Sequence, residues 1–334
     1  MHIFLLILFK PENELRLLNA QGAKQLKILV TGGAGFIGSH LIEKIIHKDL
    51  DTICLDNFSY GSRKNLETTM NNHHLEAIEG DVRDSNLLLK LCKEIDVVVH
   101  LAAVISVEKS FERPEETNEI NVTGTINLLN ACVKNRVKKV VYISSAAVYG
   151  LPSHLPVDEN HPTNPISPYG VSKLSAEQYV RTFGEAYGIE TIILRIFNAY
   201  GPRQRISQYS GVIRIFIEQS LKGEPLTVYG DGTQTRDFIY VEDVVDAVMR
   251  SIEHGKITNE VMNVASGKPI KIEDLAKTVM ELAGKKLEIK YLSEKKGDIK
   301  HSYACIEKAL KLIDFKTKTS LKEGLKKTID FYNK

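Results

Sequence analysis

Cysteine is scarce in this chain of 334 residues, which contains only Cys54, Cys92, Cys132 and Cys305. None of them stands in a Cys-x-x-Cys pair and no histidine cluster lies near them in the sequence, so we predict no metal site. A chain of this length buries a large core without disulfide bonds. Cysteines that are not needed as disulfides are typical of a reducing compartment, and we therefore expect a cytoplasmic protein.

An excess of charge of one sign is also absent. The 44 basic and 42 acidic residues leave a formal net charge of +2, which gives no reason to expect a nucleic acid as a partner. Glycine (22) and proline (10) are too few for a collagen-like or low-complexity protein. The composition, 43% hydrophobic and 26% charged, is that of a globular protein, and the length predicts about two domains.

The longest apolar run at the N-terminus is too short to cross a membrane, for which about 20 residues are needed. It covers residues 3–9, no lysine or arginine precedes it, and the polar stretch 11–25 offers no clear cleavage site. We therefore predict no signal peptide and expect no membrane partner. Residues 1–26 are interpreted as an N-terminal extension without an assigned role, and a membrane-touching or partner-binding tail is the alternative.

From Lys27 onward, short apolar runs alternate with helical patterns. This alternation predicts a parallel sheet with helices on both faces, and continuous Val/Ile/Leu runs are typical of strands buried on both sides. Strands are predicted at 28–30, 52–55, 75–78, 96–99, 140–143 and 191–194. The main helices are predicted between the first two strands, ending at Ile46, and at 85–93, 118–133 and 169–187.

After Arg195 the pattern loosens. It predicts a smaller, mixed α/β region at residues 196–334 that is interleaved with the first and mainly binds substrate. A capping-box pattern, Ser320-x-x-Glu323, predicts the start of a final helix. The other elements predicted here are helices at 211–221 and 242–253 and short strands at 226–228 and 238–241.

Three glycines spaced Gly32-x-x-Gly35-x-x-Gly38 follow the first predicted strand and open a helix. Such a turn lets backbone amides approach a pyrophosphate, and the helix N-terminus favours its negative charge. Asp56 ends the next predicted strand, eighteen residues past Gly38, where a carboxylate binds ribose hydroxyls and repels a 2′-phosphate. We therefore predict a Rossmann-type, doubly wound domain at residues 27–195 that binds NAD in preference to NADP.

A phenol and an ammonium are placed four residues apart by Tyr169 and Lys173, on one face of a predicted helix. A nearby ammonium lowers the pKa of a phenol, and a phenolate is a usable general base toward a sugar hydroxyl. Ser145 ends the fifth predicted strand, and ligands bind at the carboxyl ends of parallel strands. The three side chains are candidate catalytic residues.

With these motifs, the chain resembles the extended short-chain dehydrogenases/reductases, and among them the NAD-dependent nucleotide-sugar epimerases and dehydratases. The resemblance covers nearly everything from Lys27 to the C-terminus. The matching motifs are residues 31–38, 56–58, 80–84, 100–103, 121–124, 144–150, 168–173, 194–198, 230–232, 236–241 and 297–298.

The resemblance implies a role for each matching residue. Ser145, Tyr169 and Lys173 match the catalytic triad of the family. Asp81 and Val82 match its adenine-binding pair, and a homodimer formed through the helices 118–133 and 169–187 is also implied. The implied cofactor-binding residues are Gly32, Gly35, Phe36, Ile37, Gly38, Asp56, Asn57, Asp81, Val82, Leu101, Ala102, Ala103, Asn121, Tyr169 and Lys173.

The resemblance also implies substrate-binding residues. Asn198 and Arg236 match residues that hold the diphosphate, and Asp298 matches a carboxylate on the uridine ribose. Lys295 stands where the family often has an arginine, and it lacks the bidentate fork of that residue. Besides Ser145, the implied substrate-binding residues are therefore Asn198, Arg236, Lys295, Asp298 and Ser302.

The reaction type is indicated by Ala146 and Ala147, where dehydratases of the family place an acid and a base. Without these carboxylates, proton transfer at carbons 5 and 6 has no evident agent, and epimerisation at carbon 4 of a UDP-hexose through a 4-keto intermediate is the function we expect. Ser302 stands where a tyrosine would exclude an N-acetyl group. Its small side chain predicts that UDP-GlcNAc and UDP-GalNAc are accepted alongside UDP-glucose and UDP-galactose.

Two alternatives remain at this stage. Another nucleotide-sugar enzyme of the same fold, a UDP-glucuronate 4-epimerase or a decarboxylase, is the first, with Arg203 and Arg205 as unassigned cations. A non-catalytic NAD-sensing protein is the second. Such a protein would be expected to have lost Tyr169 or Lys173, and both are present.

Overall fold

The computed structural model describes residues 26–205, 211–294 and 299–333. Lys295, Asp298 and residues 1–25 of the predicted N-terminal extension lie outside these ranges. Within the described ranges, no helix is both long enough and apolar enough to cross a membrane.

The first region alternates strands and helices, as predicted. Its strands are β1 (Lys27–Thr31), β2 (Asp51–Asp56), β3 (Leu75–Glu79), β4 (Val97–His100), β5 (Lys139–Ser145) and β6 (Glu190–Ile196). Its helices are α1 (Phe36–Ile46), α2 (Ser85–Leu91), α3 (Val107–Glu112), α4 (Pro114–Asn118), α5 (Gly124–Asn135) and α6 (Pro168–Tyr187).

The second region is built from shorter pieces. Its strands are β7 (Ala199–Tyr200), β8 (Leu226–Tyr229), β9 (Thr235–Asp237), β10 (Ile239–Tyr240), β11 (Glu260–Val264), β12 (Pro269–Lys271) and β13 (Ile289–Leu292). Its helices are α7 (Val212–Lys222), α8 (Val241–Glu253), α9 (Ile272–Leu282), α10 (Glu307–Ile313) and α11 (Leu321–Tyr332).

One parallel sheet of seven strands organises the molecule, in the order β11-β6-β5-β4-β1-β2-β3. The strand order reverses between β1 and β4, and in such sheets ligands bind in the crevice at the carboxyl ends beside this reversal. Asp56, His100 and Ser145 are the last residues of their strands, so all three lie at this edge. The predicted doubly wound parallel sheet is confirmed.

Helices cover both faces of the sheet because successive side chains of a strand point to opposite sides. Ile28 and Val30 of β1 belong to the cluster that packs against α1 and α8, whereas Leu29 belongs to the cluster under α2 and α5. A third cluster lies in the second region and joins α7, α9 and α11 around β8.

The second region departs most from the sequence-based expectation. Strand β11, which the sequence pattern did not predict, joins the main sheet by pairing with β6, as in Met262 beside Leu194. The run 238–241 is a strand only at Ile239–Tyr240, because α8 begins at Val241. The other strands pair in two-stranded sheets: β7 with β10, β9 with β12 and β8 with β13.

The helix predicted at 118–133 is interrupted by a wider turn. The helical backbone runs through α4, a π-helical turn at Glu119–Thr123 and then α5. Such turns insert one residue into a helix and often occur at functional sites. Here the turn contains Asn121, one of the candidate site residues.

Candidate active site

The glycine turn between β1 and α1 is shaped by close backbone contacts. A Cβ at Gly32, whose φ is +71°, would come within 2.8 Å of the Ala102 amide nitrogen, and a Cβ at Gly38 would collide with the Gly32 carbonyl. Gly35 is the N-cap of α1, and among the described residues no side chain caps this helix or places an acid in its first turn. The first amides of α1, those of Phe36 and Ile37, are thus left for an anion, which fits a pyrophosphate.

Asp56 ends β2 beside this turn. Its carboxylate is buried and accepts hydrogen bonds from the Ala34 amide (2.9 Å) and the Phe58 amide (2.8 Å). Burial raises its pKa, and the two amide bonds oppose this effect. The carboxylate is therefore fixed at the strand end where a ribose would be bound.

A second carboxylate, Asp81, follows β3 and accepts from Asn57 Nδ2 (2.8 Å) and from Arg83 Nε (2.9 Å) and Nη2 (2.8 Å). The hydrogen bond from Arg83 lowers the pKa of Asp81 to about 2. Val82 is buried and packs close to Gly124. The structure thus brings three predicted residues together and adds Arg83, to which sequence reasoning gave no role.

The loop after β4 lies against the glycine turn. The Leu101 amide donates to the Thr31 carbonyl (3.1 Å), and the Ala102 amide donates to Thr31 Oγ1 (3.3 Å). Ala103 follows in the same loop, at the edge where the strand order reverses. These three predicted residues therefore line the same end of the sheet as Gly32.

Asn121 holds the end of this loop against α6. Its Nδ2 donates to the Val104 carbonyl (3.1 Å) and to Ser172 Oγ (2.9 Å), and its Oδ1 accepts from the Val104 amide (2.8 Å). Both amide hydrogens are thereby used. Asn121 is almost fully buried, and its side chain supports the loop against α6. A direct contact between Asn121 and the cofactor stays a prediction.

The three candidate catalytic residues meet at the carboxyl end of β5. Ser167 caps α6 by accepting from the Gly170 amide (3.1 Å), which places Tyr169 in the first turn of that helix. Ser145 lies near enough to the Tyr169 hydroxyl to affect its titration. Burial raises the pKa of Tyr169, and the interaction with Ser145 opposes the rise. In the protein without cofactor, the pKa of Tyr169 is thus raised by burial, whereas the sequence predicts that the nearby ammonium lowers it.

Lys173 lies one turn further along α6 and is buried. Its Nζ donates to the Ile143 carbonyl (2.6 Å) and lies 4.3 Å from the centre of the Tyr142 ring. Burial lowers the pKa of Lys173 to about 7, and the charge of Glu177 opposes this effect. The amine therefore titrates near neutral pH.

His100, at the end of β4, is a residue that the motif comparison contained but to which it gave no role. Its Nδ1 is 2.6 Å from Thr31 Oγ1 and its Nε2 is 3.0 Å from Thr125 Oγ1. Burial, and then the Lys173 charge, lowers the pKa of His100 to about 3. A neutral imidazole therefore lies beside the ammonium.

Three of the predicted substrate residues lie in or near the second region. Asn198 follows β6, and its Nδ2 donates to the Asp237 carbonyl (2.8 Å). Arg236 lies on β9, where its Nη1 donates to the Thr235 carbonyl (2.9 Å). The Ser302 amide donates to the same carbonyl (3.2 Å), so Ser302 is held beside Arg236.

A cavity of about 130 Å³ opens in the second region. Sequence reasoning did not single out its lining, although the motif 230–232 runs through it. Glu294 and Ile299, the described residues on either side of the segment that holds Lys295 and Asp298, both line it. The other lining residues are Tyr229, Gly230, Asp231, Gln234 and Lys300.

Comparison with known proteins decides the family. The family model described as "NAD dependent epimerase/dehydratase family" matches residues 28–265. The chain belongs to this family. It is therefore an NAD-dependent enzyme, as expected, and the uncapped first turn of α1 is compatible with the cofactor in the family name.

Relatives within the family cover almost the whole chain. A putative UDP-glucose 4-epimerase from Methanocaldococcus jannaschii is 42% identical over 306 residues, which are 91% of this chain and 97% of that protein. The crystal structure of UDP-glucose 4-epimerase from Thermotoga maritima with UDP-glucose is 37% identical, covers 92% of this chain and 98% of its own, and has a TM-score of 0.87.

A third relative is a UDP-N-acetylglucosamine 4-epimerase from Methanobrevibacter ruminantium, solved in complex with UDP-N-acetylmuramic acid. It is 40% identical, covers 92% of this chain and 98% of its own, and has a TM-score of 0.88. The chain is thus similar to 4-epimerases named for UDP-glucose and to one named for UDP-N-acetylglucosamine.

Proposed function

We propose that this protein is a UDP-hexose 4-epimerase that inverts carbon 4 through a 4-keto intermediate. The observation that carries the proposal is the meeting of Ser145, Tyr169 and Lys173 at the carboxyl edge of the sheet. The similarity to UDP-glucose and UDP-N-acetylglucosamine 4-epimerases supports it.

In the proposed reaction, Tyr169 is the general base. As the phenolate it takes the proton of the sugar 4-hydroxyl, and as the phenol it returns a proton to the ketone oxygen, so no net proton is consumed. Ser145 binds the same oxygen, and the Lys173 charge stabilises the phenolate. The glycine turn and Asp56 would hold NAD, which when bound would supply the hydride chemistry at carbon 4.

The neighbours of Tyr169 favour epimerisation over elimination. Residues Ala146–Val148 form a short turn directly after Ser145, and a Cβ at Gly170 would lie 2.6 Å from the Ala147 carbonyl oxygen. The two alanines are therefore packed against the start of α6. Methyl groups in this position transfer no protons, so within the described part of the chain these two positions supply no acid–base pair for carbons 5 and 6, and Tyr169 is the candidate base.

The second region would hold the nucleotide while the sugar turns. We propose that Asn198 and Arg236 bind the diphosphate, together with Lys295 and Asp298 at the uridine end. Ser302, beside Arg236, would leave room for an N-acetyl group, so we propose that both UDP-GlcNAc/UDP-GalNAc and UDP-glucose/UDP-galactose are substrates.

The two arginines kept for the glucuronate alternative are bonded elsewhere. Arg203 Nη2 is 2.5 Å from Glu43 Oε1, and Arg205 Nη1 donates to the Ser59 carbonyl (3.2 Å). They hold the loop after β7 against the first region. These contacts do not favour a clamp for the carboxylate of a glucuronate.

We also propose a cytoplasmic homodimer. All four cysteines are free, which agrees with a reducing compartment. Apolar side chains are exposed on α3 and α6, among them Phe111 (61%), Val171 (50%) and Tyr179 (41%), and a second copy of the chain would cover them. Sedimentation equilibrium of the purified protein tests the oligomeric state, and a monomer at micromolar concentration would contradict it.

Turnover without added cofactor tests the proposed function. The purified protein is incubated separately with UDP-GlcNAc, UDP-glucose and UDP-glucuronate, and products are identified by proton NMR. We expect UDP-GalNAc from the first and UDP-galactose from the second, because NAD is regenerated in each cycle and stays bound. Turnover of UDP-glucose alone would contradict the Ser302 pocket, and turnover of UDP-glucuronate alone would favour the alternative enzyme.

A further inference from the structure

Beneath the candidate catalytic residues lies a buried polar cluster that the proposed reaction does not use. Its centre is Glu177 on α6, whose side chain is fully buried. Glu177 follows Lys173 by four residues, so both side chains lie on one face of the helix. An isolated buried carboxylate is costly and is kept only where partners compensate.

The partners of Glu177 come from two strands. Ser144 Oγ of β5 donates to Oε1 (2.5 Å), and Arg195 of β6 donates from Nε to Oε1 (3.1 Å) and from Nη2 to Oε2 (2.7 Å). Ser144 directly precedes Ser145. The carboxylate therefore ties α6 to the two strands at the level of the candidate catalytic residues.

We propose that Glu177 is a positioning residue that acts through space on Lys173 and keeps its amine in the charged form. Arg195 cancels the net charge of Glu177, so what acts on Lys173 is the field of an ion pair. Coulombic attraction by Glu177 opposes the desolvation of Lys173, which indicates that the negative end of the pair acts on the ammonium. The proposal rests on the catalytic role given to Lys173 above.

The other groups around Lys173 do not supply this charge. Tyr142 places its ring 4.3 Å from Nζ, a weak cation–π contact, and its buried hydroxyl has no hydrogen-bond partner among the described residues. His100 lies beside the Tyr142 ring, with 5.7 Å between ring centres, and is neutral. Tyr169, on the same helix, carries no charge while its hydroxyl is protonated, and burial favours that form. Among these neighbours Glu177 is thus the carboxylate, and Arg195 is its ion-pair partner.

Glu177→Gln tests the proposal because it removes the charge and keeps the shape. Lysine is labelled with ¹³C at Cε, and the Lys173 signal is identified as the one absent from Lys173→Met. In the protein as purified, we expect the Lys173 titration midpoint to fall by about one pH unit in Glu177→Gln. The alkaline limb of the pH profile of turnover is expected to move down by a similar amount.

Two further variants keep the test decisive. Glu177→Gln leaves Arg195 unpaired and buried, so Glu177→Leu/Arg195→Met, which removes both charges, is measured as well. Glu185→Gln, an exposed position two turns further along α6, is the matched control and should leave the midpoint unchanged. An unchanged Lys173 midpoint in a folded Glu177 variant would overturn the proposal. Because this NMR titration needs no substrate, it is independent of whether the protein is a 4-epimerase.

Discussion

The two regions of the molecule differ in how they are built. In the first, strands and helices alternate along the chain, and its strands form most of a single sheet. Its candidate catalytic side chains meet at the carboxyl end of β5, with Ser145 on the strand and Tyr169 and Lys173 on α6. In the second, two-residue to four-residue strands pair in small sheets, and Ser302, in a loop, lies beside Arg236 of β9. We expect the first region to carry out the chemistry that is common to every sugar and the second region to select the sugar.

Removing the base from the first region is expected to give the largest effect. Tyr169→Phe should lower turnover at least ~10³-fold for every UDP-sugar alike, because proton transfer at the 4-hydroxyl is common to all of them. Bound NAD, measured after denaturation, should stay near the wild-type amount. Tyr187→Phe, at the exposed end of the same helix, is the control and should retain activity. A loss of turnover confined to one UDP-sugar would contradict the assignment of the common chemistry to the first region.

Changing the second region is expected to give a smaller and selective effect. Ser302→Tyr should lower kcat/KM for UDP-GlcNAc by roughly 10- to 100-fold and leave UDP-glucose nearly unchanged, because the added ring fills the space of the N-acetyl group. Ser302→Ala keeps a small side chain and should retain both activities. An equal loss on both substrates in Ser302→Tyr would mean that this position supports the fold and does not select the sugar.

The third effect is on stability and not on turnover. The pKa of Lys173 is lowered by burial to about 7 from its ordinary value of 10.5. The unfolded chain therefore binds a proton that the folded protein releases between these pH values, and stability rises with pH across that window. Relative to Lys173→Met, the wild type should gain up to about 1.4 kcal/mol per pH unit there.

Urea denaturation at several pH values between 6 and 10 measures this dependence. Below pH 7 Lys173 is charged in both the folded and the unfolded state, so the full cost of burying its charge is present. The difference in the free energy of unfolding between wild type and Lys173→Met should therefore be constant there. A difference that does not change with pH across the whole range would show that the folded protein keeps Lys173 at its ordinary pKa.

The sequence predicted the first region well because its signals are local. Apolar runs and the glycine spacing are sufficient to place β1 to β6 and the turn at Gly32, and a serine at a strand end with Tyr-x-x-x-Lys on a helix predicts which side chains meet. The pairing of β11 with β6 was not predictable in this way, since Leu194 and Met262 are far apart in the chain.

Residues that act through distant partners were the ones that sequence reasoning missed. His100 gains a role from Thr31 and Thr125, and Glu177 from Ser144 and Arg195. Arg83 was also missed, although its partner Asp81 is only two residues away. Arg83 and His100 stand in motifs that were identified from the sequence, and Glu177 lies on a predicted helix, but the contacts of His100 and Glu177 join different strands and helices. The π turn at Asn121 was likewise hidden in a run that is compatible with an ordinary helix.

One measurement tests the central claim most directly. The purified protein is given UDP-glucose carrying deuterium at carbon 4, in ordinary water and without added NAD, and the product is analysed by NMR. We predict that UDP-galactose keeps the deuterium at carbon 4, because the hydride that leaves this carbon returns to its opposite face within the same site. Product that has lost the label to solvent, or inversion with no isotope effect on turnover when chemistry limits the rate, would contradict the account.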